Sequence, residues 1–240
     1  MTAKDLYTGH AVNLMMRTNH TMVTFPVRSS FNSMGLEVTE FESLIFGGMI
    51  RNEFGQLTTN NDLIAVRTTA ITDKHKGPRH IELNATDLEH KDLAQFQLLQ
   101  PSDQRAPLPR RDHSAQLINN NKQMVVFGGR NDQDLQMREF NDLLIYDIEQ
   151  NRWTAIAQTG FAPGPRWGAA LFVHEARKKM FVFGGSSYAE GICSAQVFCF
   201  DYCPSNVNEK RAELRKVQEE ALSLNKKFLT AFERELVKKG

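Results

Sequence analysis

Residues 123–153 read QMVVFGGRNDQDLQMREFNDLLIYDIEQNRW: an apolar run that stops at Gly128-Gly129, a polar loop, a second apolar run, and a lone Trp153. The same lead-in stands twice more, as Leu44-Ile45-Phe46 before Gly47-Gly48 and as Phe181-Val182-Phe183 before Gly184-Gly185. Runs this short, continuous and rich in β-branched and aromatic residues suit strands buried on both faces. Glycine has no Cβ, so a pair of them at a strand end permits positive φ and a close approach of backbone to backbone. Arg28, Arg110 and Arg166 precede their pairs by 18 or 19 residues. Each intervening stretch holds two apolar runs split by polar turn residues, the pattern of a strand, a turn and a second strand. A third strand follows each pair, at 61–66, 141–147 and 194–201, and in the middle copy Tyr146 leads on to a fourth strand at Trp153.

Composition narrows what such a chain does. It has 240 residues, 41% hydrophobic and 24% charged, enough for one large domain or two small ones and too apolar for wholesale disorder. A net charge of +1 provides no global field for nucleic acid or an anionic membrane. No run of about 18 apolar residues and no basic, then apolar, leader is present, so the expected location is cytoplasmic. Three cysteines, Cys193, Cys199 and Cys203, crowd one short stretch, which is no disulfide framework.

A glycine pair followed by Tyr and, after six intervening residues, Trp resembles the kelch repeat. In that family each repeat is one four-stranded blade of a β-propeller, with a period of about 50 residues. Gly128 to Gly184 spans 56 residues, whereas Gly47 to Gly128 spans 81, so the first copy is expected to carry an insertion near 67–95, between its third and fourth strands. Phe96 then takes the place of Trp153, and Val66 and Phe200 take that of Tyr146. The fold expected is all-β: a partial kelch-type propeller over 20–204, with copies near 20–101, 107–158 and 162–203, the third without its fourth strand. Residues 1–19 would add an extra strand. Propellers close with about 4 to 8 blades. Three copies therefore imply a longer parent protein, another chain completing the ring, or degenerate blades elsewhere.

From residue 205 the pattern changes to that of a long amphipathic α-helix. Leu214, Val217, Ala221, Leu224 and Phe228 recur at helical spacing, with Leu229, Phe232 and Leu236 adjoining, and the last turns are basic. Such a helix packs on its own propeller, docks on a partner or a second copy as a coiled coil, or lies on a membrane surface.

Chemistry-bearing residues are sparse. His75 and His80 stand five apart in the insertion, and Cys199 and Cys203 four apart with no second ligand pair, so no metal and no cofactor is expected. Asp112 and His113 are adjacent; on a strand they would face opposite sides and share no site unless the strand is broken there. No nucleophile turn or phosphate loop occurs. Enzyme activity is therefore not expected, and the rival to a binding role is a small-molecule enzyme with its site in the propeller channel. The glycines, Tyr146 and Trp153 read as scaffold. Function on a repeated scaffold sits on loops that differ between copies. Arg111, Arg130, Asn131, Asp132, Trp167, Ser186 and Tyr188 are the candidates for a protein partner, Trp and Arg being common anchor residues. What the resemblance implies is a protein-interaction scaffold of the signalling, trafficking, cytoskeletal or ciliary kind.

Overall fold

The computed structural model describes residues 16–33, 35–52, 54–72, 94–134, 138–158, 162–189 and 195–202. Residues 1–15, most of the insertion, and the amphipathic stretch with Leu214, Val217, Ala221, Leu224, Phe228, Leu229, Phe232 and Leu236 lie outside the described residues, as do Cys193 and Cys203. Among the described residues the architecture is four antiparallel sheets, a 3-10 turn at Glu175–Arg177 and no α-helix.

The first copy is a four-stranded sheet in the order β2 (Thr21–Phe31), β3 (Glu37–Phe46), β6 (Leu63–Thr72), β7 (Ala94–Leu99). The second is β8 (Ser114–Ile118), β9 (Gln123–Phe127), β10 (Leu143–Asp147), β11 (Arg152–Ile156), and the third has three strands, β12 (Ala170–His174), β13 (Lys179–Phe183) and β14 (Val197–Asp201). A small sheet joins β1 (Arg17–Thr18), β4 (Met49–Arg51) and β5 (Leu57–Thr59). The register pairs Tyr146 with Trp153 and Val66 with Phe96, so Phe96 does occupy the Trp position. Arg67 pairs with Gln95 where Asp147 pairs with Arg152, which places the extra length of the first copy between its third and fourth strands.

The chain divides into two compact units, Met1–Val173 with Phe181–Phe198, and His174–Met180 with Cys199–Gly240. In the first, one core joins the first two copies: Val23, Phe25, Leu44, Phe46, Leu63 and Ala65 meet Met124, Val126, Leu144, Tyr146 and Trp153. Phe46 stacks at a tilt on Trp153, centroids 4.7 Å apart. In the second unit, Lys178 in the left-handed region closes the 3-10 turn, Lys179 pairs with Asp201 at 2.5 Å, and the Tyr202 hydroxyl donates to Glu175.

The glycine pairs lie where successive copies touch. The Gly48 N–H donates to the Arg110 carbonyl and the Gly129 N–H to the Arg166 carbonyl, each at 2.9 Å. A Cβ built on Gly47 would stand 2.6 Å from the Arg110 carbonyl, and one on Gly128 the same distance from that of Arg166. The arginines brace these joints from inside. Arg110 is buried, donates to the Gly128 carbonyl at 3.0 Å, makes a two-pronged pair with Asp142 at 2.6 and 2.9 Å, and lies over the Phe140 ring. Arg166 donates to the Gly184 carbonyl at 3.1 Å and lies over Phe198.

Arg28 does not play the part of Arg110 and Arg166. Arg28 is exposed in mid-β2, opposite Glu40 and past a bulge, and touches no glycine of the pair. Its place is taken by Arg17, which donates to the Gly47 carbonyl at 2.9 Å and sits 3.6 Å from Asp62. The cause is a longer first hairpin: β2 and β3 run 11 and 10 residues where β8 and β9 run 5 each, which pushes the true arginine further from its glycines.

Behind the joint sits a histidine. His113 is buried edge-on against Phe46, centroids 5.1 Å apart, with Nε2 2.7 Å from the Thr21 hydroxyl. Burial first, then the Arg110 charge and His20, push its pKa from 6.5 down to about 3. The folded pKa lies below the unfolded one, so the unfolded chain takes up the proton first as pH falls past about 6.5, and stability is lost from there towards pH 3.

Two outcomes follow. Gly128→Ala should destabilise by on the order of 3 kcal/mol, combining a positive-φ penalty with a backbone clash, whereas Gly55→Ala, with φ +77° and open space, should cost about 1 kcal/mol in urea unfolding. Between pH 7 and 5 the His113 contribution should fall by about 2 kcal/mol, at about 1.4 kcal/mol per pH unit below the unfolded pKa, and His113→Gln should flatten that limb. An unchanged pH slope in the variant would exclude His113 as its source.

Candidate functional site

The residue after each arginine and the residue after each glycine pair are bridged in every copy: Thr18 with Met49, Arg111 with Arg130, Trp167 with Ser186. The residue next along has positive φ each time, at Asn19, Asp112 and Gly168. This recurring loop geometry presents different side chains in each copy, and in the second and third copies they converge.

At the centre is Arg130. Its guanidinium lies 4.6 Å from the Trp167 ring centroid, its Nε donates to Asp112 at 2.9 Å, and its Nη1 lies 3.4 Å from the Tyr188 hydroxyl. Trp167 and Tyr188 stack at a tilt with centroids 4.7 Å apart. Arg111 donates to Asp112 at 2.8 Å and also to Asp132, whose carboxylate accepts from Tyr188 at 3.4 Å. Partial burial opposes charge on Asp132, but the Arg111 hydrogen bond and the charges of Arg111 and Arg130 outweigh it and hold the carboxyl below its usual range. For Arg130, too, burial is outweighed: hydrogen bonds to Asp112 and Tyr188 and the nearby carboxylates raise its pKa.

Of the residues singled out in the sequence, Arg111, Arg130, Asp132, Trp167 and Tyr188 thus meet in one cluster. Ser186 contributes backbone, exchanging hydrogen bonds with Trp167 at 2.9 and 3.0 Å. Asn131 does not face the cluster's surface: it is buried, and its side-chain oxygen accepts the Gln133 N–H at 3.1 Å, shaping the loop. Sequence reasoning missed Asp112, Glu139 and Asn19. Glu139 accepts from the Tyr188 backbone at 2.6 Å and the Ser187 hydroxyl at 3.2 Å, and Asn19 donates to Asp112 at 2.5 Å.

Asp112 and His113 do not lie on a strand. Both precede β8, and Asp112 stands at a bend with φ 54°, so strand pleating does not part them. They part because Asp112 turns to the arginines while His113 is buried against Phe46. A signal was available: Arg17-Thr-Asn-His-Thr and Arg110-Arg-Asp-His-Ser are the same pentad with Asn19 and Asp112 at the bend.

Chemically the cluster sets paired charges against aromatic surface. Its carboxylates are tied to arginines, and among the described residues no group of three or more His, Cys, Asp or Glu is placed to hold a metal ion. A flat guanidinium against a Trp, with an exposed Tyr beside it, is the side-chain set that dominates binding energy at protein interfaces.

The model of the KLHDC2/KLHL20/DRC7 Kelch-repeats domain matches residues 72–217, more than half of the chain. The chain belongs to the kelch-repeat family. The matched residues hold the second and third copies, with the pairs Gly128-Gly129 and Gly184-Gly185. Acyl-CoA-binding domain-containing protein 5 of Arabidopsis thaliana is 35% identical over 97 residues, 40% of this chain and 13% of that protein. The flagellar outer-arm dynein alpha chain of Chlamydomonas reinhardtii is 28% identical over 142 residues, 59% of this chain and 2% of that protein. The kelch chain thus spans a small part of the curated relatives it matches. A solved structure titled Structure of YjhT overlays with TM-score 0.48 at 17% identity, covering 78% of this chain and 48% of that one.

Removing the Arg111 guanidinium should release Asp132. In Arg111→Gln the Asp132 carboxyl is expected to titrate closer to 3.8, followed by carboxyl NMR, while the parent titrates lower. Coincident titrations would mean that the pair does not persist in solution.

Proposed function

We propose that this kelch chain is a non-catalytic protein-interaction scaffold whose docking point is the Arg130–Trp167–Tyr188 cluster. The observation that carries it is the stack itself: Arg130 over Trp167, with Tyr188 55% exposed against both, on loops joined by the bridges Arg111–Arg130 and Trp167–Ser186. Kelch domains mediate protein interactions, which supports the class. The partial likeness to a flagellar dynein chain favours a ciliary or cytoskeletal assembly as the setting. Among the described residues no helix is long and apolar enough to cross a membrane. The amphipathic stretch 205–240 serves in this reading as a tether or an oligomerisation segment.

A partner seated on this cluster meets partly desolvated charge and aromatic surface, so truncating an anchor should weaken binding by about 2 kcal/mol, roughly thirtyfold. Affinity capture from ciliated-cell extract, quantified for the parent, Tyr188→Ala, Trp167→Ala and a remote control such as Arg51→Ala, tests it. Proteins lost with both cluster variants and retained with the control are the expected result. An identical captured set for all four would contradict the reading, as would partner-free turnover of a small molecule that the cluster variants leave intact.

A further inference from the structure

Two of the described tyrosines are buried: Tyr146, whose hydroxyl donates to Asn151 at 2.8 Å, and Tyr202, whose hydroxyl donates to Glu175. Tyr188 is 55% exposed. Its ring leans on Trp167 and its backbone N–H donates to Glu139 at 2.6 Å, so the side chain is held with its hydroxyl towards Arg130. That hydroxyl makes only long contacts, 3.4 Å to Nη1 of Arg130 and 3.4 Å to Asp132. Arg130 is under-used on the same side. Its Nε is committed to Asp112 at 2.9 Å, but Nη1 reaches Asp132 only at 3.9 Å. An accessible phenol and a guanidinium donor thus stand within reach of each other with bonding capacity to spare.

We propose that Tyr188 is a phosphorylation site whose phosphate is received by Arg130. In the transfer the kinase removes the phenol proton, the phenol oxygen bonds the γ-phosphorus of ATP, and the bond to ADP breaks, so that ADP leaves. The product carries about −1.5 to −2 charges and three strong acceptor oxygens, and a phosphate opposite an arginine forms short, charge-assisted hydrogen bonds. The terminal nitrogens of Arg130 supply the donors, since Nε already faces Asp112. Two carboxylates oppose the new charge: Asp132 beside the hydroxyl and Glu139 on the backbone side of Tyr188. Asp132 has somewhere to go, because Arg111 already holds it.

The phosphate covers the edge of Arg130 that a docked protein would meet. It also turns a cluster in which Arg111 and Arg130 balance Asp112 and Asp132 strongly negative, so modification releases the partner. That last step rests on the docking role proposed above; the modified residue and its receiving arginine do not.

Phosphopeptide mass spectrometry of the full chain from ciliated cells held under a tyrosine-phosphatase inhibitor tests the site. Phosphate on Tyr188 and none on Tyr146 or Tyr202 is expected; a Tyr188 left unmodified overturns the proposal. The same chain, phosphorylated in vitro with ATP and a broad-specificity tyrosine kinase, is then titrated by phosphorus NMR. An unconstrained phosphotyrosine loses its second proton at about pH 6. Contact with Arg130 should lower that midpoint by about half a unit or more, and Arg130→Gln should restore it. Equal midpoints in parent and variant, or a raised one in the parent, would place the phosphate away from the arginine and overturn its role. The titration needs no partner, so it stands or falls apart from the docking reading. In capture, the phosphorylated chain should lose the proteins that Tyr188→Ala loses, while kinase-treated Tyr188→Phe retains them. Unchanged capture by the phosphorylated chain contradicts the release.

Discussion

A backbone hydrogen bond between copies organises this protein: the N–H groups of Gly48 and Gly129 each meet the carbonyl of the arginine that opens the next copy. It forms because the pair has no side chain at the crossing, where a Cβ on the first glycine would come within 2.6 Å of that carbonyl. The same arginine sends its guanidinium to the first glycine of its own copy, so one residue links two joints. A buried arginine is costly unless its donors are met. Here the carbonyl, the Asp142 carboxylate and the Phe140 ring meet them, and the residue becomes a pin rather than a liability.

Function follows from what this joint leaves over. Once the arginine and the glycine pair are fixed, the residues just beyond them are held in a narrow bridge with a positive-φ bend beside it, and their side chains have nowhere to go but the loop surface. The scaffold repeats while the presented residues do not: Thr18 and Met49 in the first blade, Arg111 and Arg130 in the second, Trp167 and Ser186 in the third. The cluster of Arg130 with Trp167 is thus a product of blade-to-blade geometry. It joins the residue after one blade's glycines to the residue after the next blade's arginine.

Much of the fold was legible in residues 123–153, where the glycine pair, Tyr146 and Trp153 mark strand ends and a strand-to-strand pairing that the register confirms. The first copy was harder. Pro26-Val27-Arg28 imitates the Pro109-Arg110 opening closely enough to hide Arg17, because a lengthened hairpin leaves local pattern intact while moving the residue that matters. The pentad shared by Arg17–Thr21 and Arg110–Ser114 carried the correct alignment and outweighs any proline. The candidate site was readable only as residue types. That Arg130 reaches Trp167, or that Asp112 serves both arginines, depends on which loops a closing sheet brings together. Likewise Phe46, Phe127 and Phe183 are alike in sequence and differ only in what packs on them.

Amide hydrogen exchange of Gly48 and Gly129, read by NMR in the full chain, bears most directly on the claim that the inter-copy bond organises the fold. Both amides are at strand ends beside loops, where fast exchange is the rule for unpaired groups. The account predicts that they exchange only with global unfolding, as slowly as Val126 in the core of the second blade. Exchange at loop rates, with Val126 still protected, would show that the blades hold together by other means.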